Sequence, residues 1–267
     1  MRQSGGLLPD SGWTESAPLF NRFPYLIFIF RCTTAVNSAI ISPKIIFCRQ
    51  IRLIGKKYMK QYKAIFFDID GTLLDTFEMN FVPLTRLVQE ELGIPFTLEQ
   101  TKPLCFQPGL TTMRQLGFPD VDASYARWVA AVNAYEKGAV PFEGMMETLQ
   151  ALQDAGIRMG IVSSKMHKQY GIDLGPWDMD RYMETAVLAE DTEQHKPHPA
   201  PLQEALRRMQ LQPEDVLYVG DGPSDSEAAF KAGIDFGFAA WGAVKEWPMP
   251  AVHFRFEKPT DMIQQLL

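Results

Sequence analysis

The chain has little cysteine, few long hydrophobic stretches and no excess of basic charge. Three cysteines in 267 residues, Cys32, Cys48 and Cys105, are too few and too scattered for a disulfide framework or a cysteine-based metal site. The apolar run at residues 25–30 (YLIFIF) is stopped by Arg31. A spanning helix needs about 20 such residues and a secretory core about 7–15, so no stable membrane insertion is expected. A net charge of −6 leaves no general basic face to offset phosphates, and no nucleic-acid partner is expected. His167, His195, His198 and His253 follow no ligand spacing and read as surface or turn residues. No internal repeat is present. At 46% hydrophobic and 22% charged residues, usage is that of an ordinary globular protein, and a cytoplasmic location is expected.

The charge is unevenly spread. Residues 1–58 carry eight basic and two acidic side chains, so the remaining 209 carry −12. Pro24 and Pro43 interrupt what periodicity the first part has. A targeting segment and a small folded module are both conceivable there. The preferred expectation is a basic extension, disordered or a mis-assigned start, with Met59 as the true one, because residues 59–63 (MKQYK) lead straight into a strand.

From Lys63 onward the pattern is regular. Residues 64–68 (AIFFD) read as a buried parallel strand ending in a carboxylate. Phe81, Leu84, Leu87, Val88 and Leu92 recur at helical spacing, as do Leu110, Met113 and Leu116, then Tyr125, Trp128, Val129 and Val132. No convincing strand is read between Thr76 and Pro141. Strands are then expected at 157–163, 216–220 and 234–239, separated by helices around Leu149, Leu202–Met209 and 224–232. The fold class is therefore α/β: a doubly wound, Rossmann-like parallel-sheet core (59–76 and 142–267) with an inserted all-helical cap (77–141).

The sharpest motif is residues 68–72 (DIDGT). Residues i and i+2 of extended chain share a side, so Asp68 and Asp70 would lie together at a strand's carboxyl end, where open α/β sheets bind ligands. Two adjacent carboxylates repel, and the pair makes sense with a cation or with one member protonated. An EF-hand loop is excluded, because its twelfth position would be Met79 rather than a bidentate glutamate.

Residues 66–75 (FFDIDGTLLD), 161–165 (IVSSK), 196–199 (KPHP) and 220–225 (GDGPSD) together resemble, in order, the four motifs of the haloacid dehalogenase-like (HAD) superfamily. The resemblance covers residues 63–267 and is nearest to the phosphoglycolate phosphatase-like and pyrophosphatase-like members with a helical cap. It implies phosphoryl transfer on a small phosphorylated metabolite: Asp68 as nucleophile through an aspartyl-phosphate, Asp70 as general acid and base, and Ser163 and Lys196 gripping phosphoryl oxygens. It also implies Mg²⁺ at Asp68, Asp70 (through its carbonyl) and Asp221, with Asp225 completing the acidic cluster. An aspartate at position 70 is that of phosphatases and mutases rather than of transport ATPases, dehalogenases or phosphonatases. Gly220, where related hexose-phosphate mutases carry glutamate, favours hydrolysis. A sugar-phosphate mutase and a non-catalytic phosphometabolite-binding protein are the alternatives. Lys102 and Arg114 are the candidate cap cations for contact with the leaving group, and Cys105 is expected to pack.

Overall fold

The computed structural model describes residues 60–244 and 247–267; the expectation for residues 1–58 lies outside them. β1 (Ala64–Phe67), β4 (Arg158–Val162), β5 (Thr185–Val187), β6 (Val216–Gly220), β7 (Asp235–Ala239) and β8 (Phe254–Phe256) form one sheet in the order β5-β4-β1-β6-β7-β8. All its pairings are parallel. The chain steps outward from β1 through β4 to β5, returns to the other side of β1 as β6, and continues outward. The order thus reverses between β1 and β6, and a crevice opens there at the carboxyl ends of the strands.

Both faces of the sheet are covered, which is why its strands read as continuous apolar runs. Side-chain alternation divides them: Ile65, Phe67, Leu217 and Val219 pack under α5 (Met145–Asp154) and α9 (Asp261–Leu266). Ala64, Phe66, Val216 and Tyr218 pack under α7 (Ala200–Met209) and α8 (Pro223–Ala232).

Between β1 and α5 lies a helical unit with its own core. It contains α1 (Phe77–Leu92), α2 (Leu98–Thr101), α3 (Gly109–Leu116) and α4 (Val121–Asn133). Phe81, Leu84, Val88, Phe96, Leu104 and Met113 fill it, separately from the sheet clusters. Two short strands, β2 (Leu74–Asp75) and β3 (Val140–Pro141), pair antiparallel at its root, so the chain enters and leaves side by side. β3 lies in the stretch where no strand was expected. Two residues offer no period to read, and their pairing is set by the partner strand. The edge strands β5 and β8, three residues each, were likewise unread.

Candidate active site

Three neighbouring strands each deliver a motif residue at their first step beyond the sheet. Asp68 follows β1, Ser163 follows β4 and Asp221 follows β6. Their backbones stay in register: the Asp68 N–H donates to the Val219 carbonyl at 2.9 Å, and the Ser163 N–H to Val187 at 3.0 Å. All three side chains are buried.

Asp225 and Lys196 arrive from the face of α7 and α8. Asp225 sits in the first turn of α8, where its Oδ2 accepts the Gly222 N–H at 3.1 Å. It is thus a helix-capping carboxylate, but its other oxygen looks into the site. Oδ1 accepts from the Lys196 ammonium at 2.6 Å and from the Tyr218 hydroxyl at 3.0 Å. Lys196 Nζ also lies 2.9 Å from Asp68 Oδ1 and donates to the Tyr218 hydroxyl at 2.9 Å. Carboxylate oxygens of Asp68, Asp221 and Asp225 all fall within 4.8 Å of one another.

Three buried acids with one lysine are an unbalanced set. Burial, together with the neighbouring Asp225 and Asp70 charges, pushes Asp68 up to about 6 despite the opposing pull of Lys196. Asp221, desolvated and facing Asp225 and Asp68, is driven well above the usual carboxylate range. Burial works against charge on Lys196 too, but Asp225 and Asp68 outweigh it and hold the ammonium above its ordinary value. The excess of negative charge and the all-oxygen donor set suit a hard divalent cation.

Asp70 is less buried than the others. Its Oδ1 accepts from the Thr76 hydroxyl at 2.7 Å and lies 3.0 Å from the Lys165 ammonium. Gly71, directly after Asp70, turns the chain with φ +73°, and a Cβ there would collide with the Asp221 carboxylate. Only glycine serves at that position, which joins the left-handed conformation to the close approach of the third acid.

Sequence reasoning missed Tyr218, Lys165 and Asp173. Tyr218 was hidden inside an apolar strand, and its fully buried hydroxyl binds Lys196, Asp225 and the Val162 carbonyl. Lys165 belongs to a quoted motif but was given no role, and nothing in the local pattern marks Asp173. Arg114 is exposed at the end of α3, and Lys102 is ion-paired to Glu99 at 2.7 Å. What meets the core loop is the neutral Phe106, whose ring lies where a Cβ on Gly222 would be. Burial and the Asp221 charge push the thiol of Cys105 beside it up to about 12, which disfavours its thiolate. Among the described residues, His167 and His253 pair with Asp191 and Asp235, each at 3.3 Å.

The family model for haloacid dehalogenase-like hydrolases matches residues 65–239. A pyrophosphatase PpaX of Anoxybacillus flavithermus is 28% identical over 207 residues, covering 76% of this chain and 96% of that protein. A phosphoglycolate phosphatase of Xylella fastidiosa is 30% identical over 189 residues, covering 67% and 81% respectively. Among solved structures, a HAD-superfamily hydrolase of subfamily IA from Geobacter sulfurreducens superposes with a TM-score of 0.58 at 25% identity. That match covers 77% of this chain and 97% of the other.

Proposed function

The chain belongs to the haloacid dehalogenase-like hydrolases, and from that premise we propose that it is a Mg²⁺-dependent phosphatase acting on a small phosphorylated metabolite. The observation that carries this reading is the meeting at the sheet's switch point of Asp68, Asp221 and Asp225, with carboxylate oxygens within 4.8 Å of one another, and of Lys196, which lies 2.9 Å from Asp68 and 2.6 Å from Asp225. Relatives named for pyrophosphate and phosphoglycolate hydrolysis support phosphate compounds of that size. No helix of the described residues is long and apolar enough to cross a membrane.

In this reading Asp68 attacks phosphorus and the bond to the leaving oxygen breaks. Asp70 gives that oxygen its proton, and an aspartyl-phosphate remains. A water then attacks the phosphoryl group, Asp70 takes its proton, and inorganic phosphate leaves as Asp68 is regenerated. Lys196 and the Ser163 hydroxyl hold equatorial phosphoryl oxygens, and Tyr218 and Asp225 fix where the Lys196 ammonium stands. Two charges 4 Å apart at an effective dielectric constant near 20 repel by about 4 kcal/mol, so a dianion needs more than one lysine to approach this cluster. Asp68, Asp221 and the Asp70 carbonyl would hold Mg²⁺, with Asp225 behind them, and the ion would neutralise the charge of the transferring phosphoryl group.

A sugar-phosphate mutase is the weaker reading. A Cβ at Gly220 would lie 2.6 Å from Asp225, leaving no room there for the glutamate of the mutases unless the loop shifts. The test is phosphate release from phosphoglycolate, pyrophosphate and hexose monophosphates, with and without Mg²⁺, by the wild type and Asp68→Asn. Release that needs Mg²⁺ and drops roughly a thousandfold or more in the variant is expected. Activity surviving Asp68→Asn would overturn the mechanism.

A further inference from the structure

Lys165 is buried, with 6% of its side chain exposed, yet nothing in the proposed reaction requires it. Its ammonium bridges two carboxylates. One is Asp70 Oδ1 at 3.0 Å and the other is Asp173 Oδ2 at 2.5 Å. Asp173 lies on α6 (His167–Leu174), is itself 2% exposed, and has its second oxygen bonded by the Gln169 amide at 2.8 Å, one helical turn earlier. Both Asp173 oxygens are therefore used, and the carboxylate has no partner other than this pair of donors among the described residues.

A buried charge without a partner is strongly destabilising, and a buried ion pair is on average no better than an apolar pair of the same size. Stability is therefore a weak reason for this arrangement. Its other consequence falls on Asp70, whose side chain is 39% exposed and would otherwise rotate freely. Lys165 and the Thr76 hydroxyl both converge on Oδ1, which leaves Oδ2 as the oxygen to exchange a proton.

We propose that Lys165, anchored by Asp173, is a positioning residue that pins Asp70 by one oxygen, so that the other transfers the proton to the leaving group and from water. The proposal rests on the phosphatase reading. It makes a prediction that neither a structural lysine nor a phosphate-binding lysine shares. Proton donation matters for an alkoxide leaving group, and very little for p-nitrophenolate, which departs without it. A misplaced acid should therefore be felt on one substrate and not on the other.

The experiment compares the wild type with Lys165→Gln/Asp173→Asn, which removes both charges and keeps hydrogen-bonding groups. The substrates are phosphoglycolate and p-nitrophenyl phosphate. Expected is a fall in kcat/KM of about 10–100-fold on phosphoglycolate, the scale of a misplaced catalytic group. On p-nitrophenyl phosphate kcat/KM, which ends at departure of the leaving group, should change less than about threefold, whereas kcat falls on both substrates wherever the shared water step limits turnover. Equal losses of kcat/KM on the two substrates, or no loss on either, would overturn the role of Lys165. A wild type that releases phosphate from neither substrate would overturn the phosphatase reading first, and the inference with it. Should the polar pair fail to fold by its melting curve, Lys165→Met/Asp173→Leu provides an apolar pair of similar volume for the same comparison.

Discussion

At the scale of single residues the acidic cluster sets a pH dependence of stability. Burial and its acidic neighbours raise Asp68 to about 6, and Asp221 moves in the same direction. A folded state that keeps its proton longer than the unfolded chain binds more protons between the ordinary carboxylate value and that raised one. Stability is then present below the window and is lost as pH rises through it. The metal-free protein, kept in chelator, should melt at falling temperature as pH goes from about 5 to about 7. Added Mg²⁺ should raise the melting temperature more at the upper pH, because the ion binds the ionised carboxylates. A melting temperature that climbs through this window without metal contradicts this charge balance. Much at this scale was legible in the sequence: Asp68, Asp70, Ser163, Lys196, Asp221 and Asp225 were all named from motifs. What was not legible is the support. Tyr218 looks like any apolar-strand aromatic until β4 and α8 are packed against it. Asp173 gains its meaning from Lys165, eight residues away and across a loop.

At the scale of elements, the strand-then-helix alternation was readable because buried parallel strands are apolar on both faces and helices repeat at 3.6 residues. The elements that escaped notice are those held by neighbours rather than by their own pattern: the β2–β3 pair at the cap's root and the edge strands β5 and β8. The loop after β7 also escaped. There the Trp241 indole donates to the Thr72 carbonyl at 3.0 Å, and Gly242 passes so close to Gly71 that a Cβ would run into the Gly71 carbonyl. This loop braces the turn carrying Asp70 from behind. Gly242→Ala should therefore destabilise the protein by about 1–3 kcal/mol, the cost of overpacking, and lower kcat along with it. Chemical denaturation and steady-state kinetics check this, and an unperturbed variant would mean that the loop yields without moving the turn.

At the scale of the whole molecule, the net charge of −6 is an average over unlike parts, with −12 on residues 59–267. Part of that negative charge is gathered at the carboxyl end of one sheet, in the crevice where the strand order reverses. The helical unit has a separate core and meets the loop after β6 through Phe106. We expect that division to assign the chemistry to the sheet and selection of the leaving group to the cap. The central claim, that Asp68 carries the phosphoryl group, is tested most directly by trapping it. The protein is mixed with acetyl phosphate and Mg²⁺, quenched, reduced with borohydride and analysed by peptide mass spectrometry. An acyl phosphate at position 68 is predicted to appear as homoserine at that position, and to be missing from Asp68→Asn. Phosphate release with residue 68 unmodified, or with the reduced residue found elsewhere, would contradict the account.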